Sequence, residues 1–277
     1  MFECVINISE GKNPEIIGAI ALAAGASLCD VHKDPLHNRS VLTLVGNDIL
    51  EAAKRVTRVT VELIDITVHD GLHPRFGAAD VIPFIPFTPG SIAKQDLAAA
   101  KDYRDDFIEW AGKTLGLPCI GYGPEHSLPE IRKLLKNCEP PMAGHKTAGI
   151  TSVGARQLLL AYNLYIGKGN GQKSAFAANK IRSSSVRSLG FCLDGQDQVS
   201  CNLIDLENYG PLDIYNELSR SYDIQKTELV GLVPLGLLER IDQDSWEKLD
   251  LSYEKTIEYR LSLNDKERRE RALSTLG

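Results

Sequence analysis

The sequence predicts an α+β protein of two subdomains, each a mixed β-sheet with helices on one face. Three observations predict it. The 277 residues lie at the length where one core commonly divides into two. Strand-like and helix-like apolar patterns alternate through both halves. The run Gly167-Lys168-Gly169-Asn170-Gly171-Gln172-Lys173 has almost no apolar content and reads as a linker. The expected subdomains are residues 1–167 and 173–277.

In the first half, Glu3 to Ile8 alternates like a strand, and Asn13-Pro14-Glu15 offers an N-cap, a proline at the first helical position and a first-turn acid. A helix to about Ala24 follows. Ser27 to Val31 and Val41 to Val45 are strand-like runs flanking a polar elbow, and Asp48-Ile49-Leu50-Glu51 has capping-box spacing for a helix to about Ile64. Asp80 to Phe84 reads as a strand, Ser91 to Leu115 as a long helix closed by Gly116, Cys119 to Tyr122 as a short strand, Leu128 to Leu135 as a short helix, and Arg156 to Ile166 as a β-prone run.

The second half reads as helix (Ser174 to Arg182), strands (Val186 to Leu193, Gln198 to Asp205) joined by Asp194-Gly195-Gln196-Asp197, helix (Pro211 to Tyr222), strand (Glu228 to Val233) and helix (about Leu235 to Ile241). Adjacent hairpin strands between helices are the mark of a ferredoxin-like α+β subdomain. The charged tail, Glu254 to Arg271, reads as a solvated helix, and no sequence repeat is obvious.

Composition excludes several classes. Hydrophobic residues at 43% and charged ones at 25% are ordinary for a globular protein. No apolar stretch approaches the ~18 residues that span a bilayer. Met1-Phe2-Glu3-Cys4-Val5 has no basic n-region, so it reads as a first strand and the protein is expected in the cytoplasm, without a membrane partner. The six cysteines are scattered without CxxC spacing, which supports neither a disulfide framework nor a zinc ribbon. A net charge of −6 without a basic stripe argues against nucleic acid.

Chemistry concentrates in His69-Asp70-Gly71-Leu72-His73-Pro74-Arg75-Phe76-Gly77-Ala78-Ala79-Asp80. His69 and His73 stand at helical spacing, but Gly71 separates them and Pro74 pushes His73 out of helical backbone. A loop feeding a strand holds such side chains at the end of a sheet, where an imidazole can move protons near neutral pH. A solvated turn is the plain alternative, and a zinc pair is disfavoured because it needs an unbroken helix. The elbow from His32 to Arg39 adds two imidazoles, two cations and an acid, and Arg39 or Lys33 could receive a carboxylate. Asn7-Ile8-Ser9-Glu10-Gly11 ends the first strand, so its polar groups emerge at one sheet edge. The glycine-rich run Gly144 to Arg156 matches neither a P-loop nor a dinucleotide fingerprint, although its small residues let a flat ligand approach the backbone. Gln198-Val199-Ser200-Cys201-Asn202 and Glu228 to Pro234 read equally as scaffold or as binding strands.

Together these segments resemble the formiminotransferase family. The match runs through Asn7-Ile8-Ser9-Glu10-Gly11, Asn38-Arg39-Ser40-Val41, His69-x-Gly71-x-His73-Pro74-Arg75-x-Gly77-Ala78-x-Asp80-Val81, Gly154-Ala155-Arg156, Gln198-Val199-Ser200 with Asn202-Leu203, and Leu229 to Pro234, in the family's order over nearly the whole chain. The resemblance implies two α/β subdomains with a folate tunnel between them, and a homodimer. It implies transfer of a formimino group from N-formimino-L-glutamate to tetrahydrofolate, with His73 as catalytic acid/base. No metal is expected, on the broken helix geometry, and a metal hydrolase using His32, His37, His69 and His73 is the minor alternative. Substrate and folate contacts are expected at Asn7, Glu10, His32, Asp34, His37, Asn38, Arg39, Arg75, Gly149, Thr151, Arg156, Asn202 and Glu228. Both substrates carry carboxylates, which suits Arg39, Arg75 and Arg156 as clamps.

The chain departs from the animal enzymes in carrying His32 where they have an aspartate, and in shorter segments before Pro140 and around Arg182 to Arg187. No cyclodeaminase portion is expected. Two alternatives therefore stand beside formimino transfer: cyclisation of 5-formyltetrahydrofolate by the same kind of site, and a catalytically silent folate-binding or dimerising protein.

Overall fold

The structure, a computed structural model, describes residues 1–72, 74–137 and 142–277. The chain divides into unit 1, Met1–Phe87 with Gln95–Gln157 and Leu263–Gly277, and unit 2, Thr88–Lys94 with Leu158–Ser262.

Unit 1 runs β1 (Phe2–Ile8), α1 (Pro14–Leu22), β2 (Leu28–Asp34), β3 (Arg39–Gly46), α2 (Ile49–Leu63), β4 (Ala79–Pro86), α3 (Ala98–Leu115), β5 (Cys119–Tyr122), α4 (Leu128–Asn137) and β6 (Thr151–Ala155). Its mixed sheet has the order β2-β3-β1-β4-β6-β5. The first four strands pair antiparallel, as a βαββαβ unit requires, and β6 and β5 add in parallel beside β4. Directly paired residues share a face. Cys4, Ile6, Ile8, Leu42, Leu44, Ile82, Phe84, Val153 and Ala155 form one face and pack with Ile17 and Ile20 of α1, Ala52 and Val56 of α2, and Phe107 and Ala111 of α3. The helix α4 is an addition to that plan. Its Ile131 and Leu135 pack with Val81 and Tyr122, residues of the opposite strand parity.

Local signals behave as chemistry dictates where nothing competes with them. Asn13 accepts the amides of Glu15 and Ile16 at 3.0 and 3.3 Å, with Pro14 opening α1. Gly116 caps α3 with φ +60°. The capping box expected at Asp48 does not form, because Asp48 sits at φ −90°, ψ 31° and its carboxylate pairs with Arg55 at 3.3 Å. The helix expected from Ser91 begins at Ala98.

Unit 2 runs β7 (Leu160–Lys168), α5 (Gln172–Ile181), β8 (Val186–Leu193), β9 (Gln196–Leu203), α6 (Pro211–Ser219), β10 (Lys226–Val230), the single turn α7 (Leu235–Leu238) and α8 (Ile257–Ser262). The sheet order β10-β7-β9-β8 is antiparallel throughout, where a mixed sheet was expected. The run from Arg156 to Ile166, read as the last strand of the first half, supplies β7 instead, an inner strand of this second sheet. A βαββαβ unit needs that strand as its first. Gly167 to Lys173 accordingly connects β7 to α5 and is closed by Asp197, whose carboxylate accepts the amides of Gly171 and Ser174 at 2.7 and 3.0 Å.

The tail holds α9 (Asp265–Leu273), which belongs to unit 1 and packs on β2 and α1. It is not the solvated helix expected, for Arg268 and Ala272 are buried. Among the described residues no helix is long and apolar enough to cross a membrane, and Cys4, Cys29, Cys119, Cys192 and Cys201 are free thiols.

Candidate functional site

One end of the first sheet gathers the exit of β1, the β2–β3 turn, the loop before β4 and the glycine-rich entry to β6. Asn38 ties three of these together. Its backbone is left-handed at φ +47°, its Oδ1 accepts the Gly11 amide at 2.9 Å, and its Nδ2 donates to Asp70 O at 2.7 Å. An asparagine tolerates that backbone and supplies both a donor and an acceptor. Asp34 Oδ1 accepts the Leu36 and His37 amides, each at 2.9 Å, which closes the turn. Gly11 is required there, since a Cβ would stand 2.3 Å from Asp34 O. Glu10 turns its carboxylate onto the Lys12 and Asn13 amides at 2.7 and 2.9 Å, and its carbonyl accepts Ser40 Oγ–H at 2.6 Å.

His69 is held from both sides. Its Nε2 lies 3.0 Å from Asn38 O, which assigns the ring proton to Nε2 and leaves Nδ1 to accept from the Arg75 guanidinium. Burial and the neighbouring Arg75 cation push the imidazole below its ordinary pKa, so it stays neutral near pH 7. Arg75 also donates to His37 O at 3.0 Å. His37 is buried, with Nε2 3.8 Å from Asp34 Oδ2.

Arg39 shares its surroundings with two further guanidiniums, Arg75 and Arg132, and with the carboxylates of Asp34 and Asp80. Desolvation draws Arg39 down to about 10, against the pull of Asp34 and Asp80 and with the repulsion of Arg132 and Arg75. It remains a cation at neutral pH. Asp80 accepts the Phe76 amide at 2.7 Å through Oδ1 and pairs with Arg132 through Oδ2. Gly149 closes the wall at φ +69°, bridging Gly77 and His145, and a Cβ there would lie 2.2 Å from Phe76 O. His145 Nδ1 accepts the Ala148 amide at 3.1 Å within the same hairpin.

Strand register sorts the remaining residues by face. His32 pairs with Val41, Val41 with Asn7, Asn7 with Val81, and Val81 with Ser152, so His32, Asn7 and Ser152 share one face of the sheet. Thr151 is the next residue along β6, so its hydroxyl belongs to the opposite, core-facing side, where it is fully buried. Arg156 follows the far end of β6, where it donates to Gln157 O at 2.8 Å. It is not brought to Arg39 and Arg75. His73 lies outside the described residues, as do Cys138 and Pro140.

In unit 2, Glu228 Oε2 accepts from Asn163 Nδ2 at 2.9 Å and Tyr165 Oη at 3.0 Å, and Gln198 Nε2 donates to Tyr165 Oη at 2.8 Å. Asn202 pairs with Ala161 and Arg187 on the same face and is exposed. The expectations missed Asp80, Arg132, Ser152, Asn163 and Tyr165 as polar members of these clusters. Asp80 was present in the quoted motif, whereas Arg132 lies on a helix that reads simply as amphipathic.

A neutral imidazole beside a guanidinium, with Arg39 and Arg75 gathered at the same end of the first sheet, suits it to a carboxylate-bearing ligand. No group of three or more metal-ligating side chains occurs among the described residues.

Residues 1–156 match the model of the formiminotransferase domain, N-terminal subdomain. The glutamate formimidoyltransferase of Streptococcus pyogenes serotype M1 is 31% identical, over 92% of this chain and 96% of that protein. The glutamate formimidoyltransferase of Thermoplasma acidophilum is 30% identical over 84% and 88%. The formimidoyltransferase-cyclodeaminase of Sus scrofa is 35% identical over 86% of this chain, which spans about half of that longer protein, 51%.

Proposed function

The chain belongs to the formiminotransferase family, and we propose that it moves the formimino group of N-formimino-L-glutamate to tetrahydrofolate. The observation that carries this reading is the cluster of Asn38, His69, Arg75 and Arg39 at the end of the first sheet, in the segments where the family resemblance is most specific. In the proposed reaction the N5 amine of tetrahydrofolate bonds to the formimino carbon, and the bond from that carbon to the glutamate nitrogen breaks. His73 takes the proton from N5 and returns it to the departing amine. Arg39 and Arg75 hold the glutamate carboxylate, a task that guanidinium geometry suits. The remaining folate contacts, including Asn7, Asn202 and Glu228, the homodimer and the cytoplasmic setting belong to the same reading.

Calorimetric titration with each substrate, followed by turnover of the wild type and of His73→Ala, tests it. Folate binding by both proteins and turnover by the wild type alone are expected. Absence of folate binding overturns the reading, and loss of folding in His73→Ala assigns that residue to structure instead.

A second reading, cyclisation of 5-formyltetrahydrofolate with loss of water, is favoured by His32, a half-buried imidazole on the face that carries Asn7. Formation of the methenyl product from 5-formyltetrahydrofolate, without turnover of formiminoglutamate, selects it.

A further inference from the structure

Asp80 stands at the head of β4 with a side chain only 4% exposed, and both of its oxygens are used. One accepts the Phe76 amide at 2.7 Å, and the other meets Arg132 of α4. Phe76 is anchored a second time, because its side chain packs against the cluster formed by Val81, Tyr122, Ile150 and the α4 residues Ile131 and Leu135. The chain between His69 and Phe76 is thus fixed at both ends: His69 against Asn38 O, and Phe76 against Asp80. The segment between these anchors includes Arg75, which reaches back to His37 O and His69, and by sequence it includes His73.

The pair is poorly suited to stability alone. Burying two charges costs desolvation that one contact repays incompletely. Arg132 Nε is buried with no hydrogen-bond partner among the described residues. What the arrangement supplies is orientation. A carboxylate free to rotate offers the Phe76 amide one of several geometries, whereas one whose second oxygen is taken by a guanidinium offers a single geometry.

We propose that Arg132 and Asp80 are positioning residues for the reaction: Arg132 orients Asp80, and Asp80 fixes the Phe76 backbone and so the adjoining Arg75. This rests on the proposed transferase reading. Neither residue touches substrate in this scheme, so both act on kcat through the geometry of the loop.

The test uses Arg132→Gln, Arg132→Lys and Asp80→Asn in the full chain. Amide exchange at Phe76, read by NMR, is expected to rise at least tenfold in Asp80→Asn and severalfold in Arg132→Gln, whatever the enzyme's substrate. Unchanged exchange in both variants overturns the proposal. Turnover per folded molecule is expected to fall 10- to 100-fold in Arg132→Gln, with KM for both substrates within threefold of wild type and partial recovery in Arg132→Lys. A rise in KM at constant kcat overturns it in favour of direct substrate binding by Arg132. A lower melting temperature with kcat unchanged overturns it in favour of a purely structural pair. A wild type that fails to turn over formiminoglutamate defeats the transferase reading alone, since Phe76 exchange still decides the positioning claim.

Discussion

His69 is the residue at which the local chemistry has a measurable signature. A neutral ring satisfies Asn38 O through Nε2–H and Arg75 through Nδ1, whereas a protonated ring sets one cation against another. Burial comes first and Arg75 second in lowering its pKa. The unfolded chain, with an imidazole near pKa 6.5, therefore binds a proton that the folded protein resists, and folding stability falls as pH drops. This contribution is complete above about pH 6.5 and declines through the interval below it, toward the lowered folded value. His69→Gln keeps a donor and an acceptor but cannot charge. The urea midpoint of the wild type is expected to fall more steeply than that of His69→Gln between about pH 7.5 and pH 5. Parallel curves for the two proteins would show that the ring is not held neutral by its neighbours.

At the scale of elements, the start of α5 shows how a glycine-rich segment is used. Three glycines and a following helix N-terminus make a cradle for an anion, and here the anion is the chain's own Asp197. The Asp197 carboxylate is fully buried, and a Cβ on Gly169 would stand 2.4 Å from its Cγ. Removing the carboxylate in Asp197→Ala leaves the buried Ser174 amide and the part-buried Gly171 amide without acceptors and is expected to cost about 2–3 kcal/mol in urea unfolding. Asp197→Asn, which keeps one acceptor oxygen, is expected to cost less; equal losses would mean that charge outweighs the hydrogen bonds. The difference between α1 and α2 marks what a sequence can disclose about such ends. Asn13 caps α1 as its local chemistry dictates, with no competitor. Asp48 has the right spacing but is drawn away by Arg55, seven residues along, while Glu51 pairs with Lys54. Competition among side chains of that kind is invisible to spacing rules. The His69 to Asp80 loop was legible because glycine, proline and histidine constrain it locally. Arg132 was not, since its meaning arises only when α4 lies across β4.

For the whole molecule, the two units share one plan: β1, β2, β3 and β4 correspond in order and antiparallel pairing to β7, β8, β9 and β10. No sequence repeat announces this, because a ferredoxin-like core asks for apolar alternation and fixed hairpins, which many sequences satisfy. The boundary was misplaced for a related reason. Glycines at 167–171 resemble a linker, yet the change of sheet falls ten residues earlier, between β6 and β7, where the chain carries no such punctuation. The tail had the opposite problem, its dense charge hiding a packed face. Ala272 and Leu276 join the core that holds Ile17 and Val31, Lys33 Nζ donates to Leu276 O at 2.6 Å, and Thr275 Oγ1 donates to Val31 O at 2.7 Å. The strand these groups cover, β2, is the edge of the first sheet and bears His32 and Asp34. A chain ended after Ser262 uncovers that edge and is expected to lose about 4 kcal/mol from burial of the tail's apolar groups. In a unit of this size that corresponds to a fall in melting temperature of about 10 °C. The loss belongs to unit 1 specifically, so exchange protection of the β2 amides should fall while that of β7 and β9 is retained. Uniform loss of protection in both sheets would instead mean that the two units unfold as one.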